Sequence, residues 1–420
     1  VRMKRLEAGM TYGNVSLWRK AMSGLSLFAL SGLVTMTLTG CPPEAETTPD
    51  MGTSGDMTGN SDMASVKPQQ PGCSTDAWCW LFPLPQGNTL WSVWGSSTSD
   101  AWAVGESGTI LHLTGGQWKP LISPTKNAIY GIWGVDASDV YAIGDRGTVL
   151  HYDGQAWTAM SISGDTTGIG ALYGIWGSGK DDVWMVGAGG VVLHKTSTGL
   201  SRMTLPTDPA YKVLLRSVYG AGGSVYAVGT AGSLLKYNGS AWSAITLPGA
   251  GAEILTSIAG TANGDLFVGS LSGAVRRYDN ATMNWSTVSA FGNFGIYALW
   301  AKGTDVFAIG DVLYDPMNLG TKDPTKRQGI VKKYNGTSFA DVAGTIAVSL
   351  YAAWGTAATD LMMVGASGTI VRYNGTSFTS SSPVDNLTGV SAPWNGLSGS
   401  TSDNLVAVGD WGATVKWDGT

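Results

Sequence analysis

The chain is 420 residues long, with 60 glycines, 18 tryptophans and only 13% charged residues, against averages of about 7% glycine and about 25% charged. Basic and acidic side chains number 25 and 30, a formal net charge of −5. No basic patch with interleaved aromatics occurs, which excludes nucleic acid as a partner, and the composition suits a turn-rich extracellular β-fold.

Residues 1–40 read as a secretion signal outside the fold. Arg19 and Lys20 precede an apolar run from Ala21 to Leu38, which leads into Leu38-Thr39-Gly40-Cys41. Small residues before a cysteine, after such a run, resemble a bacterial lipobox, so Cys41 is the expected site of lipidation. The alternative, a transmembrane anchor, is disfavoured because the run is short and diluted by Ser, Gly and Thr. Pro42 follows, not the Asp that in some bacteria retains lipoproteins at the inner membrane. The expected location is therefore the bacterial outer membrane, with the lipid as the sole membrane contact. The signal holds five of the basic residues and one of the acidic ones, so the remainder carries 20 positive and 29 negative charges.

Residues 41–72 lack periodicity and are rich in Pro, Thr, Ser, Gly and Asp, as a flexible tether is. Cys73 and Cys79 are the cysteines that remain, and in an oxidising compartment they are expected to pair. Two free thiols are the alternative. One such pair without a nearby His is too little for a structural zinc site.

From residue 73 onward a propeller domain is predicted. LWSVWGSSTSDAWAVGESGTILHLTGGQW at 90–118 returns as IYGIWGVDASDVYAIGDRGTVLHYDGQAW at 129–157. Self-similarity near 40 residues marks a solenoid or a propeller. Aligned on the tryptophan of a Trp-Gly step, the copies place Trp94, Trp133, Trp176, Tyr219, Ala259, Trp300, Trp354 and Ser398 in one column, eight copies in all. Glycine follows in each copy except one, where Ala301 stands. Short runs rich in Val, Ile, Trp and Tyr, punctuated by Gly, Asp, Asn and Ser, are strands and turns. Strands a to d of each copy make one four-stranded antiparallel blade, giving an all-β, eight-bladed propeller.

Two details predict a closed ring, expected to act as a monomer. The third position of strand a is always small (Ser92, Gly131, Gly174, Ser217, Ser257, Ala298, Ala352, Gly396), as close approach at the axis requires. The last copy stops at Lys416-Trp417-Asp418-Gly419-Thr420 without a strand d, while Trp78–Pro85 precedes the first strand a as a strand d should. The early segment is therefore expected to complete blade eight and remove the open edges.

The second position of strand a reads Trp91, Tyr130, Tyr173, Arg216, Thr256, Tyr297, Tyr351 and Asn395. Strand a should begin on the face of the d–a and b–c loops. There Trp91, Tyr130, Tyr173, Arg216, Tyr297 and Tyr351 would crowd the channel mouth, stacking a sugar or receiving a peptide side chain. Inter-blade packing is their other expected role. Blade six breaks the pattern with DVLYDPMNLGTKDPTKRQ between Gly310 and Gly329. This segment presents Asp311, Tyr314, Asp315, Lys322, Asp323, Lys326 and Arg327 as a partner-binding loop. Shorter b–c loops add Glu106, Asp145, Arg146, Asp410 and Trp411.

Repetition argues against chemistry elsewhere. His112, His151 and His194 share one strand-c column, continued by Lys236, Arg277, Lys333, Arg372 and Lys416. Successive blades hold them apart, so no metal and no cofactor is expected. Asp100, Asp139, Asp182, Asp305 and Asp360 form a turn column, with slippage in blades five and eight. Each is expected to serve its own turn, or to pair with the strand-c basic residue of its blade. No nucleophile elbow is present and no carboxylate pair is assigned, so no catalytic residue is named.

YAIGDRGTVLHYDGQAW (141–157) and LMMVGASGTIVRYNGTSF (361–378) resemble the repeats of the photosystem-II-stability-factor type and related BNR, or Asp-box, propellers. The resemblance covers about 90–420 and implies the fold. Sialidases are the enzymes of that class. They use an arginine triad and a Tyr/Glu pair that this sequence does not let us place. The Phe-Arg-Ile-Pro segment and the strict S-x-D-x-G-x-T-W box are absent. By architecture, an anchored eight-bladed ring also resembles the propeller lipoprotein of outer-membrane protein assembly. The expectation is a non-catalytic binding scaffold for an envelope protein or glycan, with a carbohydrate-active hydrolase or lyase as the alternative.

Overall fold

The computed structural model describes residues 78–80 and 88–417, apart from 98–99, 116, 207–211, 293, 313–327, 343–345, 347, 382–391 and 402–403. Its strands fall into eight sheets, the blades of a propeller. Strand a spans Leu90–Ser97, Ile129–Asp136, Leu172–Gly179, Leu215–Ala221, Leu255–Gly260, Phe294–Lys302, Leu350–Ala357 and Trp394–Thr401 in blades one to eight. Trp78–Trp80 pairs antiparallel with the last strand, Trp78 opposite Trp417, Cys79 opposite Lys416 and Trp80 opposite Val415. The expected closing strand thus supplies the fourth strand of blade eight. Cys41, Cys73 and residues 1–77 as a whole lie outside the described residues.

Blade three departs from the four-stranded plan. Ile162–Ser163 lies parallel to Leu200–Ser201 and makes a fifth, outermost strand. Two residues carry no alternation to read, so the sequence gives no sign of it.

Strand b shows why the blades stack. In blade one Asp100–Gly105 is buried along almost its whole length. Alternate side chains point to opposite faces of a strand. Trp102 and Val104 therefore pack with Ile129, Ile132 and Val140 of blade two, while Ala101 and Ala103 pack with Val406 and Val408 of blade eight. The apolar core is divided into eight clusters, one at each seam.

The Trp-Gly step is a joint between neighbours. A Cβ added at Gly134 would lie 2.6 Å from the ring of Trp94, one at Gly177 2.5 Å from Trp133, and one at Gly220 2.1 Å from Trp176. At Gly260 it would meet Tyr219 at 2.5 Å. Each ring lies over the glycine of the next blade. This accounts for Ala301: its preceding blade offers Ala259, so no ring requires a glycine there.

The far face repeats a second device. Carboxylate and basic side chain pair within a blade as Asp100–His112 at 2.6 Å, Asp139–His151 at 2.7 Å and Asp182–His194 at 2.8 Å. Asp265–Arg277 at 2.7 Å, Asp305–Lys333 at 2.9 Å and Asp360–Arg372 at 3.2 Å continue the series. Blade five does not slip, because Asp265 fills the column. The imidazoles stack on Trp102, Tyr141 and Trp184 of strand b at centroid distances of 4.3, 4.5 and 3.6 Å. Three histidines, each bonded to its own aspartate on its own blade, do not converge. No group of three or more His, Cys, Asp or Glu side chains could hold an ion among the described residues.

Candidate functional site: the mouth of the central channel

Strand b of most blades ends in a glycine that lets two chain segments meet. A Cβ at Gly144 would lie 2.1 Å from the carbonyl oxygen of Ala128, and one at Gly105 2.1 Å from that of Thr89. The turn that follows hydrogen-bonds to the same segment, Glu106 N–H to Thr89 O at 2.9 Å and Asp145 N–H to Ala128 O at 2.8 Å. The b–c turns therefore ring the channel at the start of each strand a. In blades one, two, three, seven and eight they are three-residue 3-10 turns such as Glu106–Gly108. Their middle residues lie in the left-handed region: Ser107, Arg146, Ser367 and Trp411 have φ of 54°, 53°, 52° and 55°.

Inside this rim lies a cavity of about 420 Å³. All eight second-position side chains of strand a line it: Trp91, Tyr130, Tyr173, Arg216, Thr256, Tyr297, Tyr351 and Asn395. Third-position Ser92, Gly131, Gly174, Ser217, Ala352 and Gly396 line it too. The approach there is tight, since a Cβ at Gly174 would lie 2.8 Å from the carbonyl oxygen of Arg216 on the next blade. Val93, Ile132, Ile175, Val218 and Leu397, with Leu214, complete the wall. The sequence reading missed these, although for all but Leu214 an apolar residue before the Trp-Gly column was the available signal.

The eight side chains divide by what they touch. Thr256 donates to Ile296 O at 2.7 Å and to Gly269 O at 3.1 Å, tying blade five to blade six. Asn395 donates to Leu90 O at 3.0 Å, tying blade eight to blade one, and to Asp410 at 2.9 Å. Tyr297 donates to Asp311 at 2.7 Å and is 5% exposed. These three hold the ring together. Tyr130 and Tyr173 instead stack on each other with centroids 5.6 Å apart, and both stay partly exposed. Tyr297 and Tyr351 meet edge to face at 6.0 Å across blades six and seven.

Electrostatics distinguish one side of the mouth from the other. Burial, then the charges of Asp145 and Glu106, push the Tyr130 hydroxyl up to about 12. Burial and Asp145 also raise Tyr173, against the opposing effect of Arg216. Burial lowers Arg216 to about 10, which leaves it protonated at neutral pH. Arg216 is the one charged side chain among the described residues that line the cavity.

The blade-six loop needs a correction. Asp311 does not project to a partner. It continues strand b, Asp305–Val312, is fully buried, and accepts hydrogen bonds from Tyr297 and from Ser349 at 2.5 Å. Its carboxylate links Tyr297 of blade six to Ser349, the residue before strand a of blade seven, across the six–seven seam, which a loop assignment by length alone does not anticipate. Tyr314, Asp315, Lys322, Asp323, Lys326 and Arg327 lie outside the described residues.

No family model matches the chain, and no curated protein matches it in sequence. Solved structures do match. YCF48 bound to a D1 peptide is 14% identical, over 83% of this chain and 99% of that one, with a TM-score of 0.50. The computationally designed protein Ika8 is 15% identical over 81% and 98%, with a TM-score of 0.62. The C-terminal WD40 domain of Sif2 is 11% identical over 80% and 98%, with a TM-score of 0.59. At these identities the likeness shows the propeller fold alone.

Proposed function

We propose that this protein is a non-catalytic binding scaffold, lipid-anchored at the cell envelope, which holds a partner protein on the face that carries the cavity. The observation that carries this reading is the second-position column of strand a. Thr256, Asn395 and Tyr297 of that column serve the blades, through bonds to backbone or to Asp311. Its other members, Trp91, Tyr130, Tyr173, Arg216 and Tyr351, stand around one cavity of about 420 Å³. Partly exposed aromatics beside one cation are the chemistry of a recognition site. YCF48, solved with a D1 peptide, indicates only that this architecture accommodates a peptide. The lipobox-like Leu38–Cys41 and the tether after it support the anchor and the outer-membrane location.

A photo-crosslinking amino acid placed at Trp411 on the mouth rim is expected to trap a partner in cells, whereas one at Met283, which is 73% exposed in the turn before the outer strand of blade five, is not. Equal trapping at both positions would remove the mouth as the binding face. Mass analysis of the adduct separates a protein from a glycan. Cys41→Ser is expected to move the protein from the membrane fraction to the soluble one.

A further inference from the structure

We infer that the cavity is a binding site for a small organic acid, whose carboxylate meets Arg216 in the mouth layer and whose apolar body fills the layer of strand-a side chains beneath it. This goes beyond the scaffold reading. A partner held on the rim and an acid held inside the channel are separate occupants.

The first observation is the charge of the wall. Among the described residues that line the cavity, Arg216 is the one charged side chain, and there is no Asp or Glu. The basic residues of the far face are placed differently, each beside a carboxylate of its own blade. Burial lowers Arg216 to about 10, so the guanidinium is partly withdrawn from water and still protonated at neutral pH. A cation held in that way gains more from an anion than one in bulk solvent, because apolar walls weaken the screening. Tyr173, on the neighbouring blade, feels the charge of Arg216. Burial raises its hydroxyl, which therefore stays protonated and is a second donor for a carboxylate oxygen. The acidic turns lie elsewhere on the ring. Glu106, Asp145 and Asp410 open the turns of blades one, two and eight, whereas Arg216 stands on blade four. Asp145 has Arg146 at 3.8 Å, and Asp410 accepts from Asn395. What remains of their field directs an anion toward the Arg216 side.

The second observation is independent of charge and concerns how the wall is layered. Strand a begins at the mouth, so its second position lies nearest the rim and its fourth about 6 Å further along the channel. The second position supplies Arg216 and the tyrosines. The fourth supplies Val93, Ile132, Ile175, Val218 and Leu397, all apolar. Tyr130 and Tyr173, stacked with centroids 5.6 Å apart, add flat aromatic surface beside Arg216. The cavity of about 420 Å³ is of the size that holds a small molecule, for which about 300–1,000 Å³ is usual. The ligand that matches both layers is amphipathic, with one acid group above and an apolar body below. A neutral sugar offers Arg216 no charge and sets hydroxyls against Val and Ile side chains. An Asp or Glu side chain has no apolar body to reach the fourth position.

The test is calorimetric titration of the full chain in detergent-free lipid nanodiscs, with empty nanodiscs as the blank. The probes are cinnamate, its neutral amide cinnamamide, acetate and acetyl-Gly-Glu-Gly-amide. Cinnamate is expected to bind about tenfold more tightly than cinnamamide, which lacks the charge, and at least about tenfold more tightly than acetate, which lacks the body. Arg216→Gln is expected to cost cinnamate about tenfold and to leave cinnamamide within about twofold. Arg216→Lys keeps the charge without the planar fork and is expected to fall between the two. Both variants are compared at equal folded concentration, read from the thermal transition. Equal affinities for cinnamate and cinnamamide, no binding of cinnamate, or a cinnamate affinity indifferent to Arg216→Gln would overturn the inference. Tighter binding of acetyl-Gly-Glu-Gly-amide than of cinnamate would overturn it too, and would assign Arg216 to an acidic side chain of a polypeptide. Crosslinking at Trp411 reads the rim separately: its failure leaves the acid site standing, and failure of cinnamate to bind leaves the rim standing.

Discussion

The two faces of the ring are built from the same strands and differ in how they use repetition. On the far face the same pair recurs from blade to blade, an aspartate at the start of strand b and a basic residue on strand c, six times among the described residues. At the mouth, the second position of strand a changes from blade to blade around one shared cavity. A side chain that serves its own blade is repeated with the blade. A side chain that serves a common space is free to differ, because the space needs one arrangement of groups and not eight copies of one.

The comparison breaks most easily where repetition is strictest. Gly144→Ala would bring a Cβ to 2.1 Å from Ala128 O, a backbone atom that cannot swing away. We expect a loss of about 3 kcal/mol, the upper part of the range for overpacking, read from the denaturation midpoint. A shift within error would show that the b–c turn can relax. Gly220→Ala meets the Trp176 ring, a side chain with some freedom, so about 1–2 kcal/mol is expected. Adding Trp176→Ala should recover part of that loss, since contacting residues couple. Strict additivity of the two changes would mean that ring and glycine are not partners.

A smaller effect separates the faces by pH. Burial lowers the pKa of His194 below its ordinary value, and hydrogen bonding to Asp182 only partly offsets this. The folded state then binds that proton less readily than the unfolded chain does. Stability should fall as the pH drops through the ordinary histidine value of about 6.5 toward the lowered one. Burial pushes Asp182 up, yet hydrogen bonds from Ser178, His194 and Trp184 outweigh it and hold the carboxyl below its usual range. Its contribution is present above the ordinary carboxylate range and is lost further down, in the same direction. Thermal melts between about pH 7 and pH 5 test the first step. In a His194→Gln variant that step should flatten. An unchanged slope would assign the acid response elsewhere.

The smallest stability change is expected at the mouth. Tyr130→Phe removes a hydroxyl from a partly exposed ring, within about ±0.5 kcal/mol. Its consequence should appear in ligand titrations instead. A large loss of stability there would assign Tyr130 to blade packing, as Asn395 and Thr256 already are.

The number of blades, the closing pair of Trp78–Trp80 with Val415–Trp417, and the small third position of strand a were legible in the chain, because each repeat states the same local pattern. Periodicity and turn chemistry act over a few residues, and aligned copies amplify them. What lies between blades was decided by the tertiary structure. The sequence sets Trp176 beside Gly177, yet the ring lies over Gly220 of the next blade. Asp311 reads as the first residue of a loop and is a buried acceptor between blades six and seven. Contacts of this kind join residues about 40 positions apart, where spacing along the chain carries no information about direction. Only the closed ring brings eight such positions around one cavity and sets Arg216 of blade four opposite Asn395 of blade eight.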